Sequence, residues 1–175
     1  QWYCRFKNGR CVVELNGKSG VIDTEGKYII NPQFDGMIAD GDMFLVTQGG
    51  KWGWSDTDGK LIINPQFKEA LPFNGSKMAA VRSGKSWGYI DEDGRFLINP
   101  QFDYALPFMG NLAFVRNGGK MGFIDKDGKY IVNPQFDGGS SDLLNSIAGF
   151  ETNKYVYTDY FNIGAITALV DFDAP

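Results

Sequence analysis

Short apolar runs alternate with glycine-rich, acidic turns along the chain, a pattern typical of β-strands joined by tight connections. Residues 85–102 read Lys-Ser-Trp-Gly-Tyr-Ile-Asp-Glu-Asp-Gly-Arg-Phe-Leu-Ile-Asn-Pro-Gln-Phe, and close copies stand before and after them. The Asn-Pro-Gln-Phe ending occurs at 31–34, 64–67, 99–102 and 133–136, with spacings of 33, 35 and 34 residues. A period near 34 residues predicts a repeat architecture.

Each repeat is predicted to begin with two strands joined by an acidic turn. The first strand carries a glycine between large side chains, as in Trp87-Gly88-Tyr89, and the second is an aliphatic run such as Phe96-Leu97-Ile98. The turn from Asp91 to Gly94 is typical of a type I turn closed by a left-handed glycine. The second strand is predicted to end where the following proline removes a backbone donor, and the proline confines the rest to an edge or a corner. A looser passage and a third strand complete the unit, which gives about three short strands per repeat.

A glycine inside a strand marks a bulge or a close backbone approach. We interpret Gly88 as the place where an aromatic side chain or the backbone of the neighbouring unit packs without a Cβ in the way. The equivalent positions in the other copies are Gly20, Gly53 and Gly122.

The repeat also predicts how the chain is divided. The predicted parts are a partial N-terminal repeat at 1–17, repeats at 18–50, 51–85 and 86–119, a partial repeat at 120–137, and a non-repeat end at 138–175. Within this last part, residues from about 159 to 170 predict an amphipathic helix that caps the array. Alignment backwards from Gly20 suggests that residue 1 follows a missing copy of Asn-Pro-Gln-Phe, so the chain would be trimmed from a longer array or start in a degenerate cap.

Composition and charge narrow the classes of partner. Of the 175 residues, 43% are apolar and 22% are charged, and the 23 glycines and 14 phenylalanines favour strands and turns. The formal net charge of -4 argues against nucleic acid as a partner. No apolar run reaches the roughly 18 to 20 residues of a membrane-spanning helix, so no membrane insertion is expected. Because the chain begins at Gln1, a signal peptide is not observable in it.

The two cysteines are too few for a four-ligand metal site. If Asn8-Gly9 forms a two-residue hairpin turn, Lys7 faces Arg10, and Cys4 and Cys11 become diagonal neighbours on one face. A disulfide between them would be strained, because bridged Cβ atoms prefer a separation of about 3.5 to 4.5 Å. The sequence leaves this pairing open.

The complete motif resembles the WG-containing repeat, also called the KWG repeat, of bacterial proteins. It consists of Lys-Trp-Gly-Trp/Tyr-Ile-Asp-x-Asp-Gly-Lys/Arg, an aliphatic run, Pro-Gln-Phe, then Pro-Phe and Ala-Val-Arg, and it covers residues 18–137 as four units. The first unit departs from it at Ser19 and Glu25, and the fourth at Met121. The resemblance implies an all-β repeat array in bacterial proteins that are often exported or surface-attached. It implies no particular biochemical activity.

Two motifs in the chain resemble known binding loops, but residues that those loops require are missing. The Asp-x-Asp-Gly turns resemble half of a calcium loop, but Lys60, Arg95 and Lys129 follow the glycines and no acid stands at the required twelfth position. Gly84-Lys85-Ser86 resembles the end of a phosphate-binding loop, but Ala79 occupies the place of the first glycine. The chain has no histidine, the commonest general base and zinc ligand. We therefore predict no catalytic, cofactor-binding or metal-binding residue.

Aromatic side chains flank the strand glycines and could form either a ligand-binding wall or a core. They are Trp52, Trp54, Trp87, Tyr89 and Phe123. Such rings can stack on sugars, but each repeat must bury a face on its neighbour, and these are its largest apolar side chains. We expect them in the core. Tyr28, Phe96 and Tyr130, on the second strand, are the better candidates for facing a ligand.

These observations predict an all-β fold of tandem hairpin repeats stacked into an elongated, twisted array, with a closed propeller-like arrangement as the alternative. The predicted function is a non-catalytic repeat scaffold or binding module of a larger bacterial protein, extracytoplasmic or at the cell surface, with a protein or glycan partner and no cofactor. One alternative is an accessory domain of an enzyme elsewhere in the parent chain. Another is a carboxylate-based glycan hydrolase, which needs two acids about 5 to 10 Å apart in a cleft. The oligomeric state and the ligand stay open.

Overall fold

The computed structural model describes residues 6–137, which form fifteen strands in four antiparallel sheets and contain no helix. Sheet 1 contains β1 (Arg10–Leu15), β2 (Lys18–Asp23) and β3 (Tyr28–Phe34). Sheet 2 contains β4 (Gly36–Asp40), β5 (Met43–Gln48), β6 (Lys51–Ser55) and β7 (Leu61–Phe67). Sheet 3 contains β8 (Glu69–Ala70), β9 (Ala79–Ser83), β10 (Ser86–Ile90) and β11 (Phe96–Phe102). Sheet 4 contains β12 (Tyr104–Ala105), β13 (Ala113–Asn117), β14 (Lys120–Ile124) and β15 (Tyr130–Phe136).

The all-β prediction is confirmed. The predicted C-terminal helix at about 159 to 170 lies outside the described residues, as does Cys4. Cys11, the other cysteine, is buried and disulfide-bonded. The described residues include no helix of the length and apolarity needed to span a bilayer.

Sheets 2 to 4 each have four strands in sequence order, so the prediction of about three strands per unit was wrong. The additional strand comes directly after Asn-Pro-Gln-Phe, in the passage that the sequence left irregular. A single residue, such as Lys68, separates β7 from β8, and its N–H donates to the carbonyl of Arg82 at 2.9 Å. Backbone pairing therefore continues around the corner into the next sheet. The predicted end of the second strand at the proline was wrong, because β7 continues through Pro65 to Phe67; it does so as the edge strand of sheet 2, which agrees with the predicted edge position.

The acidic turns have the predicted geometry. In the turn that joins β10 to β11, the N–H of Gly94 donates to the carbonyl of Asp91 at 3.0 Å, and Gly94 has a φ of 82°. Asp91 Oδ1 also accepts the N–H groups of Asp93 and Arg95 at 3.0 and 2.8 Å. The other three turns repeat this pattern. The carboxylate at the first turn position is thus engaged in holding the turn.

The strand glycines serve a purpose different from the predicted one. A Cβ built at Gly88 would lie 2.5 Å from the carbonyl oxygen of Ile98 and 2.7 Å from the nitrogen of Pro100. Those atoms belong to β11 of the same sheet, so the assignment to a neighbouring unit was wrong. The reason is a bulge, because Trp87 pairs with Phe102 whereas Tyr89 pairs with Ile98. Between these two pairs β11 has more residues than β10, and the backbone of the extra residues lies over Gly88. The other three sheets repeat this close approach.

Three clusters of buried apolar side chains form the core, and each joins one sheet to the next. We call these contacts the first, second and third junctions in chain order. In the second junction, Trp54 and Ile63 of sheet 2 pack on Val81 and Ile90 of sheet 3. Every one of these three clusters joins consecutive sheets, which gives the described residues the predicted open succession of sheets.

Candidate functional site

The aromatic side chains beside the strand glycines are core residues, as predicted. Trp54 and Tyr89 are fully buried, Trp87 and Phe123 are nearly so, and Trp52 is partly buried against the second junction. Because the next sheet covers Trp54, Trp87 and Tyr89 at the second and third junctions, these rings form no open aromatic wall for a ligand.

At the second junction, a buried carboxylate satisfies the polar end of the tryptophan. Asp40 Oδ2 accepts a hydrogen bond from Trp54 Nε1 at 2.9 Å and one from the N–H of Phe73 at 2.8 Å. Asp40 Oδ1 accepts from the N–H of Asn74 at 2.9 Å. Phe73 and Asn74 belong to the segment between β8 and β9, which we call the arm of sheet 3. Asp40 therefore joins sheet 2 to the arm of sheet 3.

At the third junction, a backbone carbonyl accepts the hydrogen bond from the polar end of the buried ring. Tyr89 occupies the position of Trp54, and its hydroxyl donates to the carbonyl of Leu106 at 2.7 Å. The ring of Tyr89 packs against Phe108, with the ring centroids 4.8 Å apart. Leu106 and Phe108 lie in the arm of sheet 4, between β12 and β13. Burial raises the pKa of Tyr89, so the phenol remains a neutral donor.

The three predicted ligand-facing aromatics occupy one repeat position, but they lie on three different sheets. Tyr28 is the most exposed, at 42%, and Phe96 is 38% exposed while its edge contacts the ring of Phe67 on the previous sheet. Tyr130 is partly buried on the third junction, and its hydroxyl accepts a hydrogen bond from Asn117 at 3.0 Å. The structure does not bring them together into one site, and their role in binding stays a prediction.

A more regular exposed surface follows the Asn-Pro strands, and we call it the outer strip. The second residue of each Asn-Pro strand is an extra residue in the bulge and pairs with no residue of the adjacent strand. Its side chain is aliphatic in all four sheets, and Ile62, Leu97 and Ile131 are 44%, 53% and 57% exposed. Ile29, the fourth member, is partly buried. The outer strip comprises these residues with the exposed cations Lys27, Lys60, Arg95 and Lys129 and the exposed amides of Asn31, Gln33, Asn64, Gln66, Asn99, Gln101, Asn133 and Gln135.

Sequence reasoning missed this strip because the aliphatic run looked like a uniform strand core. Its three residues point in different directions: Ile63 is buried in the second junction, Leu61 packs on the first, and Ile62 between them is exposed. The available signal was the repetition of Asn and Gln in every copy at positions that need no amide for the turn. Identical exposed amides in four copies suit hydrogen bonding to a partner.

A second candidate site is a cleft of about 200 Å³ at the first junction. We call it the first-junction cleft. It is lined by Lys7, Arg10 and Val12 of the first hairpin and by Asp42 and Thr57 of sheet 2. The predicted hairpin turn at Asn8-Gly9 is confirmed, because Lys7 and Arg10 exchange backbone hydrogen bonds of 2.9 and 3.0 Å. Both turn residues have positive φ, at 50° and 72°.

The acidic side chains are the remaining candidates for a chemical site. Among residues 6–137, no three acidic, cysteine or histidine side chains gather closely enough to hold a metal ion. Lys18 donates to Asp35 at 2.5 Å, and the N–H of Gly49 donates to the same carboxylate at 2.7 Å. These bonds, that from Lys18 first, lower the pKa of Asp35. The group is exposed and serves a local structural contact.

Comparison with models of protein families identifies the repeat that forms these sheets. A model of the WG containing repeat matches the chain four times, at residues 20–52, 52–85, 87–120 and 121–154. This chain belongs to the WG-containing repeat family. The resemblance seen in the motif is thus confirmed. A comparison with curated proteins finds no match.

Each matched WG repeat is out of phase with the sheets. The match at 52–85 starts in β6 of sheet 2 and ends after β9 of sheet 3. One repeat therefore supplies the last two strands of one sheet and the first two of the next. The matches at 20–52 and 87–120 do the same, so in these three repeats the corner between two sheets lies inside the repeat.

Proposed function

We propose that this WG-repeat chain is a non-catalytic scaffold or binding module of a larger bacterial protein, and that the outer strip is its partner-binding surface. One observation carries the proposal: the repeated aromatic and acidic residues have structural roles, while the repeated aliphatic, cationic and amide residues of the strip face solvent. Exposed apolar side chains surrounded by polar ones are typical of interaction surfaces where they form a contiguous patch.

The chemistry of the strip suits an extended protein or glycan partner. Each sheet offers one aliphatic side chain for apolar contact, one cation, and two amides that can both donate and accept hydrogen bonds. Pro65 and its copies remove a backbone donor from the edge strand, so a partner that simply added a β-strand there would lack one ladder bond. Recognition by side chains is therefore favoured over backbone pairing.

We further propose an extracytoplasmic or cell-surface address. The disulfide bond at Cys11 supports this, because structural disulfides persist in oxidising compartments. The family resemblance to exported bacterial proteins points in the same direction.

The test is a binding screen of the folded chain on peptide and glycan arrays. We expect ligands bound by the wild type to lose at least about tenfold in affinity in the variant Ile62→Ser, Leu97→Ser, Ile131→Ser. The fold should tolerate these changes, because exposed substitutions usually alter stability by no more than about 0.5 kcal/mol each.

The matched control is Phe6→Ser with Leu15→Ser, which removes two exposed apolar side chains outside the strip. Equal loss of binding in the control would assign binding to another surface. The absence of any array ligand above background would contradict a binding module. New reducing ends or cleaved peptide on prolonged incubation would contradict a non-catalytic role.

A further inference from the structure

We propose that the first-junction cleft binds a single sugar-acid residue, with the carboxylate held by Arg10 and Lys7. This site is separate from the outer strip, so either proposal can fail without the other. The opening of the cleft, the charges that line it and the chemistry of its other walls each favour this ligand.

The cleft is open because sheet 2 lacks an arm. Between β8 and β9 of sheet 3, and between β12 and β13 of sheet 4, the arm places a phenylalanine on the previous sheet's large aromatic residue. In sheet 2 the corresponding connection is only Gly41-Asp42, since Asp40 pairs with Met43. The residue it would cover is also small, because Val21 stands where the later sheets have Trp54 and Tyr89. The cleft opens beside this shortened connection.

Two cations without a carboxylate partner among residues 6–137 line one side of the cleft. Lys7 and Arg10 both line it, and neither forms an ion pair within that range. Asp23 lies opposite Arg10 in the ladder, but its Oδ1 accepts the N–H groups of Glu25 and Lys27 instead. Although the net charge of the chain is -4, these two neighbouring cations favour the binding of an anion at this place. Arginine in particular matches the two oxygens of a carboxylate.

The other walls favour a sugar over a plain carboxylate. Asp42 and Thr57 also line the cleft, and their side-chain oxygens can accept hydrogen bonds from ring hydroxyls. An acidic peptide side chain would offer no hydroxyl donors to these oxygens. Val12 and Phe44 supply an apolar floor, which suits the carbon face of a pyranose ring.

The volume limits the ligand to one ring. Sites for drug-sized ligands enclose about 300 to 1,000 Å³, whereas this cleft has about 200 Å³. A single hexuronate residue, free or at the end of a chain, is the ligand class that fits both the size and the charge.

The experiment is a two-dimensional NMR titration of the whole chain with glucuronate, with glucose and N-acetylglutamate as parallel probes. We expect saturable shifts at residues of the cleft with glucuronate, and roughly tenfold weaker binding in Arg10→Gln and in Lys7→Gln. Arg95→Gln removes a cation of the outer strip and should leave the affinity unchanged. Ala39→Trp, at an exposed position beside the cleft, should block binding by filling the space without altering charge.

Three results would overturn the proposal. The first is the absence of saturable shifts with glucuronate in a wild type whose spectrum shows it folded. The second is equal affinity for glucose, which would remove the role of the carboxylate. The third is tighter binding of N-acetylglutamate, which would assign the cleft to an acidic peptide.

Discussion

At the scale of single residues, each sheet depends on its strand glycine, because the backbone of the adjacent strand leaves no space for a Cβ there. The Asn-Pro backbone crosses within 3 Å of where that Cβ would be, in all four sheets. The sequence correctly indicated a close approach at Gly88. It could not say which backbone approaches, since that depends on the bulge register between β10 and β11.

Gly88→Ala should destabilise the fold by about 2 to 3 kcal/mol, because the new methyl meets a backbone carbonyl at 2.5 Å and the strand pair must shift. Urea unfolding followed by tryptophan fluorescence measures the change. The matched control is Gly84→Asn, at a turn with φ of 64° and no atom within 4 Å of the added Cβ. Asparagine tolerates that conformation, so a loss in the control as large as in Gly88→Ala would contradict the steric explanation.

At the scale of elements, the turns could be predicted and the arms could not. The Asp-to-Gly turn is a local structure whose hydrogen bonds lie within five residues, so its motif predicts its geometry. The arm of sheet 3 is fixed by Asp40, which precedes Phe73 by 33 residues. In the sequence, Asp40 looks like one more surface acid. Only the structure shows it buried, at 3% exposure, with three donors.

Asp40→Ala should cost about 3 kcal/mol or more, because it leaves the buried donors of Trp54 and Phe73, and the partly buried N–H of Asn74, without this acceptor. Thermal unfolding gives the loss, and the fluorescence of Trp54 should change in the folded state. Asp42→Ala removes an exposed acid two residues away and should change stability by less than about 0.5 kcal/mol. If both variants behaved alike, Asp40 would have no special role in the second junction.

At the scale of the whole molecule, stability is distributed over junctions between successive sheets. In such an array a local change should loosen the sheets that meet there and leave the distant ones unaffected. The three core clusters follow this nearest-neighbour order. The periodic sequence predicted the stacking, because a repeat that cannot bury its face alone must bury it on a neighbour.

Tyr89→Phe tests this order at the third junction. Loss of the hydroxyl removes the bond to the carbonyl of Leu106 and should cost about 1 to 2 kcal/mol near neutral pH. Hydrogen exchange should rise in sheets 3 and 4 and stay unchanged in sheet 1. The control Tyr28→Phe, at an exposed ring, should alter exchange in none of them. Equal loosening of all four sheets would show a single cooperative unit instead.

The difference in stability between the wild type and Tyr89→Phe should also depend on pH. Burial raises the pKa of Tyr89 in the folded state, so above the ordinary value of 10.0 the unfolded chain loses this proton first. The contribution is complete below pH 10, and stability falls as pH rises above it, by about 1.4 kcal/mol per unit for one such group. The stability gap between wild type and Tyr89→Phe should therefore narrow between pH 9 and 11 in urea unfolding. A gap that stayed constant would show that the phenol ionises freely in the folded protein.

The sequence by itself determined the hairpin around each acidic turn, the repeat and the burial of the large aromatics, because each follows from local hydrogen bonding or from the need to bury apolar surface. The tertiary structure alone decided the phase of the sheets, the burial of Asp40, the exposure of Ile62 and its copies, and the cleft beside Arg10. These depend on bulge register and on which sheet carries an arm. Both are set by contacts between residues that are distant in the chain or belong to different repeats, and a local pattern does not record such contacts.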